Sequence, residues 1–259
     1  DVDTPLRFAA MVPLQVYNTF QIPEEKEKLK QTEILIIGGG AVDKALEEKI
    51  RNLSNAVYST YGMTETLSHI ALRRLNGAAA SDRYYPFSSV ELFLSSENTL
   101  MINAPLVCDD TLQTNDIARI YPDGSFTILG RKDNVINSGG IKVQAEEIER
   151  LLQSSIPVPF VITSVPDRRL GQAVTLLIEG QMEISALGTK LESVLASYYR
   201  PKYIYTVNHI PQTGNGKINR KECFSRELTV ARETGIIKTA GGNLSTRSAG
   251  VPLFFVYTD

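Results

Sequence analysis

The sequence predicts an α/β portion followed by a smaller α+β portion, and three observations lead to this prediction. An apolar run at residues 33–37 is closed by three glycines and followed by apolar residues at helical spacing, which is typical of a strand–loop–helix unit. Alternating β-type runs begin near Val90. A charged stretch with paired glycines, residues 130–149, then precedes strands grouped around one helix. At 259 residues the chain can bury a core in each portion.

The composition argues against several classes of function. Lysine and arginine number 27 against 29 aspartates and glutamates, a net charge of -2, so no overall positive field favours nucleic acid or an anionic membrane. Cys108 and Cys223 are too few for a disulfide framework, which suits a reducing compartment. The sequence shows no apolar run of membrane-spanning length and no signal-peptide pattern. We therefore expect a soluble, cytoplasmic protein without nucleic-acid partners or membrane insertion.

The first elements lead to a glycine loop. Apolar residues at 8–20 predict the start of a buried helix, and residues 33–37 predict a buried strand. Glycines at 38–40 close that strand in a tight loop. The helix that follows has its apolar positions at Val42, Ala45, Leu46, Ile50 and Leu53. Such loops lie at the carboxyl ends of strands, where α/β proteins bind ligands, but this one lacks the GxxxxGK[ST] pattern and is a weak nucleotide signal alone.

The next loop, YGMTET at residues 61–66, carries side chains suited to a nucleotide. It follows a short predicted strand at residues 56–60. The ring of Tyr61 can stack on a purine, the hydroxyl of Thr64 can donate to a phosphate oxygen, and the carboxylate of Glu65 is a ligand that Mg²⁺ takes beside phosphates. Without further context, an aromatic–glycine turn with a polar edge is the commoner explanation of such a loop.

The middle of the chain is predicted to be mainly β. Alternating runs predict strands at residues 67–72, 90–94, 99–103, 118–121 and 125–129. The last two are joined by Asp123 and Gly124, a strong hairpin signal. Before that hairpin, the carboxylate of Asp116 can accept both hydroxyls of a ribose, as acidic residues do in other nucleotide-binding folds.

Residues 130–149 predict a hinge followed by a helix. Gly139 and Gly140 permit backbone angles that other residues resist, so the chain can bend sharply there. One face of the helix is predicted to hold Val143, Ile148, Leu151 and Leu152. Further strands are predicted at residues 158–165, 172–179 and 203–207, around a helix at residues 185–199. The domain closes with a glycine-containing loop that carries Lys217, for which a solvated lysine turn is the plainest interpretation.

Four of these segments, in this order, resemble the motifs of the adenylate-forming superfamily, which includes acyl-CoA synthetases, luciferases and the adenylation domains of peptide synthetases. The segments are the glycine loop, YGMTE, GRKDNVINSGGIKVQAEEIE and PQTGNGKINR. The resemblance implies that residues 1–132 are the C-terminal part of a large ATP- and acyl-binding domain. Residues 133–224 would be a small mobile domain that rotates about Asp133. Residues 225–259 have no recognised counterpart in the family.

The resemblance also implies a set of site residues. Nucleotide contacts would be made by Gly38, Gly39, Gly40, Tyr61, Asp116 and Arg131. Catalysis would fall to Lys217, Thr64 and Glu65, with Glu65 holding Mg²⁺. Lys217 would stabilise the charge that builds as a carboxylate attacks the α-phosphate of ATP. Gly139 and Gly140 would face the site when CoA attacks the acyl-adenylate. The implied cosubstrates are ATP, Mg²⁺ and CoA, with no permanently bound cofactor.

One branch of the family shows a further similarity. MVPLQVYN and LSHIALR are similar to the o-succinylbenzoate-CoA ligases of menaquinone biosynthesis, which implies that Ser68, His69 and Arg73 contact an anionic aromatic acid. A strand histidine more often has a structural role. The chain departs from the family at Asn115, where a glycine is usual, and in lacking the phosphate loop expected before Asp1, so we expect it to be poorly active alone. Another acyl-CoA ligase, a carrier-protein adenylating domain, a non-catalytic nucleotide-binding fragment and a homo-oligomer remain open alternatives.

Overall fold

The structure is a computed structural model that describes residues 6–180, 182, 187–213, 217–220 and 222–223. The chain divides into two compact units, Asp1–Leu129 and Gly130–Asp259. The predicted tail at residues 225–259 and the glycines of the Lys217 loop lie outside the described residues. The predicted combination of an α/β portion and an α+β portion is confirmed.

The first sheet of the first unit is a mixed sheet of five strands in the order β1-β2-β3-β4-β5. Its strands are β1 Phe8–Met11, β2 Ile34–Ile37, β3 Ala56–Gly62, β4 His69–Arg74 and β5 Tyr85–Pro86. Strands β1, β2 and β3 are parallel, whereas β4 and β5 run antiparallel to their neighbours. Helices connect the parallel strands as α1 Pro13–Thr19, α2 Pro23–Gln31 and α3 Lys44–Arg51.

Local chemistry explains where these helices begin. Pro13 occupies the first turn of α1, where its missing N–H costs no helical bond. Asp43 caps α3, since its Oδ1 atom accepts the N–H of Leu46 at 2.8 Å. The helices and parallel strands bury a common core of Val16, Leu35, Ile37, Leu46, Ile50 and Val57. The predicted strand–loop–helix unit is therefore present, with strand β1 in addition to the expected helix start.

The second sheet of the first unit has four strands in the order β6-β7-β8-β9. They are β6 Glu91–Leu94, β7 Thr99–Asn103, β8 Leu112–Ile120 and β9 Phe126–Arg131. The predicted hairpin joins the last two, because Tyr121 exchanges backbone bonds with Gly124 and Ser125. Gly124 has a φ of 79°, an angle that glycine adopts without steric cost. Strand β8 begins earlier than predicted, so Asp116 lies within the strand and not before it.

The described residues of the second unit form one sheet and two α-helices. Its strands are β10 Val135–Ser138, β11 Ile141–Gln144, β12 Phe160–Asp167, β13 Gly171–Glu179 and β14 Tyr203–Val207. They follow the order β11-β10-β13-β12, and β14 pairs in parallel with β13. The helices are α4 Ala145–Leu152 and α5 Leu187–Val194. One face packs on α4 and α5, and the other holds a smaller cluster that includes Tyr205 and Cys223.

The structure corrects the predicted helix in residues 130–149. Val143 lies in strand β11, and the helix begins only at Ala145. Gly139 and Gly140, with φ angles of 60° and 87°, form a two-residue turn that folds β11 back on β10. Val143 and Ile148 are fully buried, but Leu151 is 41% exposed and lies off the buried face. Within the described residues, no helix is long and apolar enough to span a membrane.

Candidate active site

Two predicted nucleotide-site residues meet in the first unit. The phenol of Tyr61, on β3, donates a hydrogen bond of 2.6 Å to Oδ2 of Asp116, on β8. The Tyr61 ring packs edge-on against Phe126 with 5.3 Å between centroids, which fixes the direction of its hydroxyl. The N–H of Asp116 donates to the hydroxyl of Thr114 at 3.0 Å. The contact joins side chains 55 residues apart, and Asp116 remains half-buried with access to solvent.

The loop after Tyr61 presents its polar side chains to solvent because one buried threonine holds it. Thr64–Thr66 form a single 3-10 turn, in which Thr66 is 1% exposed. The Thr66 hydroxyl accepts the N–H of Met63 at 3.0 Å and donates to the carbonyl of Ser68 at 2.7 Å. Thr64 and Glu65 are consequently exposed, as contacts to phosphate and Mg²⁺ require. Thr66 is not among the predicted site residues, although serine and threonine hydroxyls commonly stabilise turns by bonding backbone groups two or three residues away.

Gly62 is required by close backbone packing. The pairing of β3 with β4 shifts register between Tyr61 and Gly62. A Cβ atom on Gly62 would lie 2.2 Å from the Ser68 carbonyl oxygen and 2.6 Å from the Cα atom of His69. Only glycine therefore lets the YGMTE loop fold back onto the start of β4.

The glycine loop lies at the same end of the sheet. Gly38 follows β2 directly and donates its N–H to the Met11 carbonyl at 3.0 Å. A Cβ atom on Gly38 would lie 2.5 Å from Oγ1 of Thr60, on the neighbouring strand β3. Gly39 has a φ of 77°. The carboxyl ends of parallel strands meet at one edge of a sheet, so Gly38–Gly40 and Tyr61 share the edge where α/β folds bind ligands.

The structure separates the three residues predicted to contact the acid. The Ser68 hydroxyl and Nδ1 of His69 lie 3.0 Å apart, and the His69 ring packs edge-on against Phe87. Arg73 lies four residues further along β4, roughly 13 Å away at the usual rise per residue. Its guanidinium forms an ion pair with Glu47 of α3, and both side chains are largely buried. Arg73 therefore has a carboxylate partner from its own chain.

The predicted hinge residue lies in a charged turn of the second unit. Lys132–Asn134 form one 3-10 turn, and Oδ2 of Asp133 accepts a bond of 3.0 Å from Nη2 of Arg131. Both of these side chains are about half exposed. The following Gly139–Gly140 turn has open space beside Gly140, where an added Cβ atom would meet nothing within 4 Å.

Lys217 lies on one side of a short hairpin. Gln212 and Ile218 form an antiparallel bridge, and the N–H of Thr213 donates to the Lys217 carbonyl at 2.7 Å. The N–H of Lys217 lies 3.2 Å from the Thr213 hydroxyl, which provides an acceptor for it. The Lys217 side chain is exposed. We call residues 211–220, of which the structure describes 211–213 and 217–220, the lysine hairpin.

A magnesium ion would need oxygen ligands from a substrate. Among the described residues, no cluster of three or more histidine, cysteine, aspartate or glutamate side chains could hold a metal ion. Glu65 supplies one exposed carboxylate next to the hydroxyl of Thr64. Mg²⁺ is commonly held by one or two carboxylates together with substrate phosphates, and this donor set fits that arrangement.

Two groups elsewhere in the second unit, the buried Cys223 and the partly buried Tyr199, have raised pKa values. Burial raises the pKa of Cys223 to about 11, and the thiol lies 3.5 Å from the Asn219 carbonyl oxygen. Burial also raises the pKa of Tyr199 to about 12, with the Glu147 carboxylate that accepts its phenol acting in the same direction.

Comparisons with known proteins place these features in context. No family model matches the chain. It is 27% identical over 206 residues to the 2-succinylbenzoate–CoA ligase of Lactococcus lactis, covering 73% of this chain and 46% of that protein. An AMP-forming acyl-CoA synthetase-like structure from Dyadobacter fermentans is 32% identical, with a TM-score of 0.51 over 86% of this chain and 66% of that one.

The fold is shared with a further solved structure. The o-succinylbenzoate CoA synthetase of Bacillus subtilis, solved with its acyl-adenylate intermediate, has a TM-score of 0.67 at 20% identity. The match covers 85% of this chain and 51% of that one, and at this identity it shows the fold alone. The chain spans about half the length of the curated relative from Lactococcus lactis.

Proposed function

We propose, from the premise that this chain is related to the AMP-forming acid–CoA ligases, that it forms part of an enzyme that activates a carboxylic acid with ATP and transfers it to CoA. The proposal includes Mg²⁺ as the metal, an acyl-adenylate as the intermediate and a cytoplasmic location. Because the chain covers less than half of the curated ligase that it matches, the activity is proposed for the protein at its natural length.

The observation that carries this proposal is the hydrogen bond between Tyr61 and Asp116. It places a flat aromatic ring and a solvent-accessible carboxylate together, beside the exposed Thr64 and Glu65. A purine needs the ring, a ribose needs the carboxylate, and phosphates need the hydroxyl and the metal ligand.

The residues then act in two steps. In the first, Lys217 stabilises the negative charge that develops as the acid attacks the α-phosphate, and Thr64 donates to a phosphate oxygen. Glu65 would hold Mg²⁺, which supplies positive charge to the pyrophosphate leaving group when bound. In the second step, rotation about Asp133 takes Lys217 away and brings Gly139 and Gly140 toward the CoA thiol.

For the acid, we propose o-succinylbenzoate, which would place the enzyme in menaquinone biosynthesis. The proposal is supported by the relative from Lactococcus lactis and by the resemblance of LSHIALR to that branch. Ser68 and His69 are the proposed contacts. Arg73 is a weaker candidate, because a substrate carboxylate would have to displace Glu47 from it.

The engagement of Arg73 favours one alternative. o-Succinylbenzoate keeps a second carboxylate after activation, and that anion needs a cationic or strong hydrogen-bonding partner when it is bound away from water. With Arg73 paired to Glu47, the proposed contacts that remain are His69 at the start of β4 and Ser68 immediately before it. An aryl or acyl acid without a second carboxylate would need no such partner, so other acid–CoA ligases are the second candidate.

Binding to the 259-residue chain and turnover by the natural-length protein test the proposal separately. We expect a stable acyl-adenylate analogue to bind the chain in calorimetry, and Asp116→Asn to weaken it at least tenfold, since a ribose loses a charged acceptor. Tyr17→Phe, at an exposed tyrosine of α1, is the matched control for Tyr61→Phe. Equal binding by these three variants and by the unmodified chain would contradict the proposed nucleotide site.

Pyrophosphate release against a panel of carboxylic acids then identifies the substrate. We expect o-succinylbenzoate to give the highest kcat/KM and CoA to convert the product to a thioester. Lys217→Ala should lower the rate of adenylation by about a hundredfold or more, because one group that stabilises transition-state charge contributes a few kcal/mol. If another acid is preferred, only the assignment of o-succinylbenzoate is wrong. If no acid leads to pyrophosphate release, the proposed ligase activity is wrong.

A further inference from the structure

A series of polar contacts in the second unit runs through helix α4 from the hinge turn to the lysine hairpin. Two acidic residues of α4 lie three positions apart: Glu146 contacts the residues around the hinge turn Lys132–Asn134, and Glu149 contacts Arg220 of the lysine hairpin. Both side chains are about four-fifths buried, so water screens their contacts only partly.

Arg220 fastens the end of the lysine hairpin, three residues after Lys217. Its Nη2 atom lies 2.7 Å and 2.6 Å from the two carboxylate oxygens of Glu149, and its Nε atom donates to the Ile162 carbonyl at 3.2 Å. The same Glu149 carboxylate accepts the N–H of Ile162 at 2.8 Å. The hairpin is thereby joined to both α4 and β12 by charge-assisted hydrogen bonds.

The other end of the series reaches the hinge turn. Glu146 accepts hydrogen bonds from the side-chain amides of Asn134 and Gln144. Gln144 also donates to the carbonyl of Arg131 at 3.0 Å. Nη1 of Arg220 lies 4.0 Å from Oε1 of Glu146, which closes the series. One turn of helix therefore holds the residues on both sides of Asp133 and the residue that ends the lysine hairpin.

We propose that Glu149 and Arg220 are positioning residues that fix Lys217 relative to the hinge, so that rotation about Asp133 carries the lysine as part of one rigid piece. The inference rests on the function proposed above. The backbone bonds of the lysine hairpin join its own two sides, and a two-stranded hairpin is marginally stable alone. Arg220 joins this hairpin to α4 and β12 through its side chain.

The kinetic consequence differs between the two half-reactions. A misplacement of about 1 Å can cost roughly a hundredfold in rate, and Lys217 acts only in adenylation. Arg220→Lys keeps the charge but loses the two-nitrogen contact to Glu149 and Ile162. We expect it to lower kcat for adenylation by about 10- to 100-fold, with the KM for ATP within about twofold. Thioester formation from a supplied acyl-adenylate should stay within about twofold.

Amide hydrogen exchange on the 259-residue chain tests the same contact without activity. We expect Arg220→Lys and Glu149→Gln to accelerate exchange in the lysine hairpin by about tenfold, because the hairpin opens locally more often. The amides to follow are Thr213, Lys217 and Asn219. Arg200→Lys is the matched control, since its guanidinium binds carbonyls of α5 and the following turn, at Glu192 and Leu195.

The outcomes separate this inference from the proposed function. Unchanged exchange in both variants overturns the positioning role, whatever the activity. Faster exchange with an equal loss in both half-reactions also overturns it, because the contact would then support folding only. If the unmodified natural-length protein forms no adenylate, the proposed function fails, and the exchange experiment alone decides whether Arg220 and Glu149 hold the hairpin.

Discussion

Individual carboxylates in this protein are held by specific donors, and Asp167 shows this most clearly. Its Oδ2 atom lies 2.7 Å from Nζ of Lys202 and 2.9 Å from the Tyr203 hydroxyl. Its Oδ1 atom accepts the N–H groups of Arg169 and Leu170. The Lys202 bond, followed by these N–H donors, holds the pKa of the Asp167 carboxyl well below its ordinary value. The residue closes the turn between β12 and β13.

The lowered pKa of Asp167 predicts a loss of stability in acid. The unfolded chain binds this proton near pH 4 and the folded chain only at lower pH, so the contribution is complete above about pH 4 and is lost as the pH falls below it. We expect Asp167→Asn to reduce the free energy of unfolding at pH 7 and to flatten its decline between about pH 4 and 2. Urea unfolding at several pH values measures this. Asp110→Asn, at an exposed aspartate, should leave the decline unchanged; equal slopes for Asp167→Asn and the unmodified chain would contradict the prediction.

At the scale of elements, the β3–β4 connection depends on one glycine. The backbone atoms of Ser68 and His69 occupy the space where a Cβ atom of residue 62 would lie. We expect Gly62→Ala to lower the free energy of unfolding by about 1–3 kcal/mol, since backbone must move to accommodate the methyl group. Chemical denaturation gives this value. Gly40→Ala is the matched control, because its Cβ atom would lie 3.8 Å from Pro13. Similar stabilities for the two variants would be incompatible with the packing described here.

Strands with a clear alternation of apolar and polar residues could be predicted from the sequence, whereas the boundary between β11 and α4, which depends on a turn, could not. The strands Thr99–Asn103 and Tyr203–Val207 lie at the residues that alternation predicts. The spacing of Val143 and Ile148 predicts a helical face, but the same spacing also fits a strand followed by a helix. The Gly139–Gly140 turn decides between them, since residues that fold back on β10 gain a ladder of backbone bonds.

The sequence predicts which residue types form the candidate site, but not which side chains contact each other there. Tyr61, Asp116 and Lys217 stand out by residue type and motif, and their roles remain proposals. The Tyr61–Asp116 bond depends on how strands from two sheets approach each other, which no local pattern contains. Arg73 illustrates the converse, because its charge suggested a ligand contact and its neighbour on α3 could not be foreseen.

At the scale of the whole molecule, the two units have separate cores. Leu35 belongs to the core of the first unit and Leu176 to that of the second, and both are fully buried. We expect calorimetry to resolve two unfolding transitions, one for each unit. Leu35→Ala should lower the free energy of unfolding of the first unit, and Leu176→Ala that of the second, each by about 2–5 kcal/mol. A single transition that both substitutions shift equally would show that the units unfold together.

The reactivity of the buried Cys223 thiol reports local opening at the end of the lysine hairpin. The residue is 2% exposed, and burial raises its pKa to about 11. While Cys223 stays buried, an alkylating reagent therefore cannot reach the sulfur, and the sulfur is not ionised at neutral pH. Modification at neutral pH must then wait for the segment around Asn219 and Arg220 to detach from β12–β14. The alkylation rate of the Cys223 Sγ atom therefore reports how readily this segment detaches, and no added probe is needed.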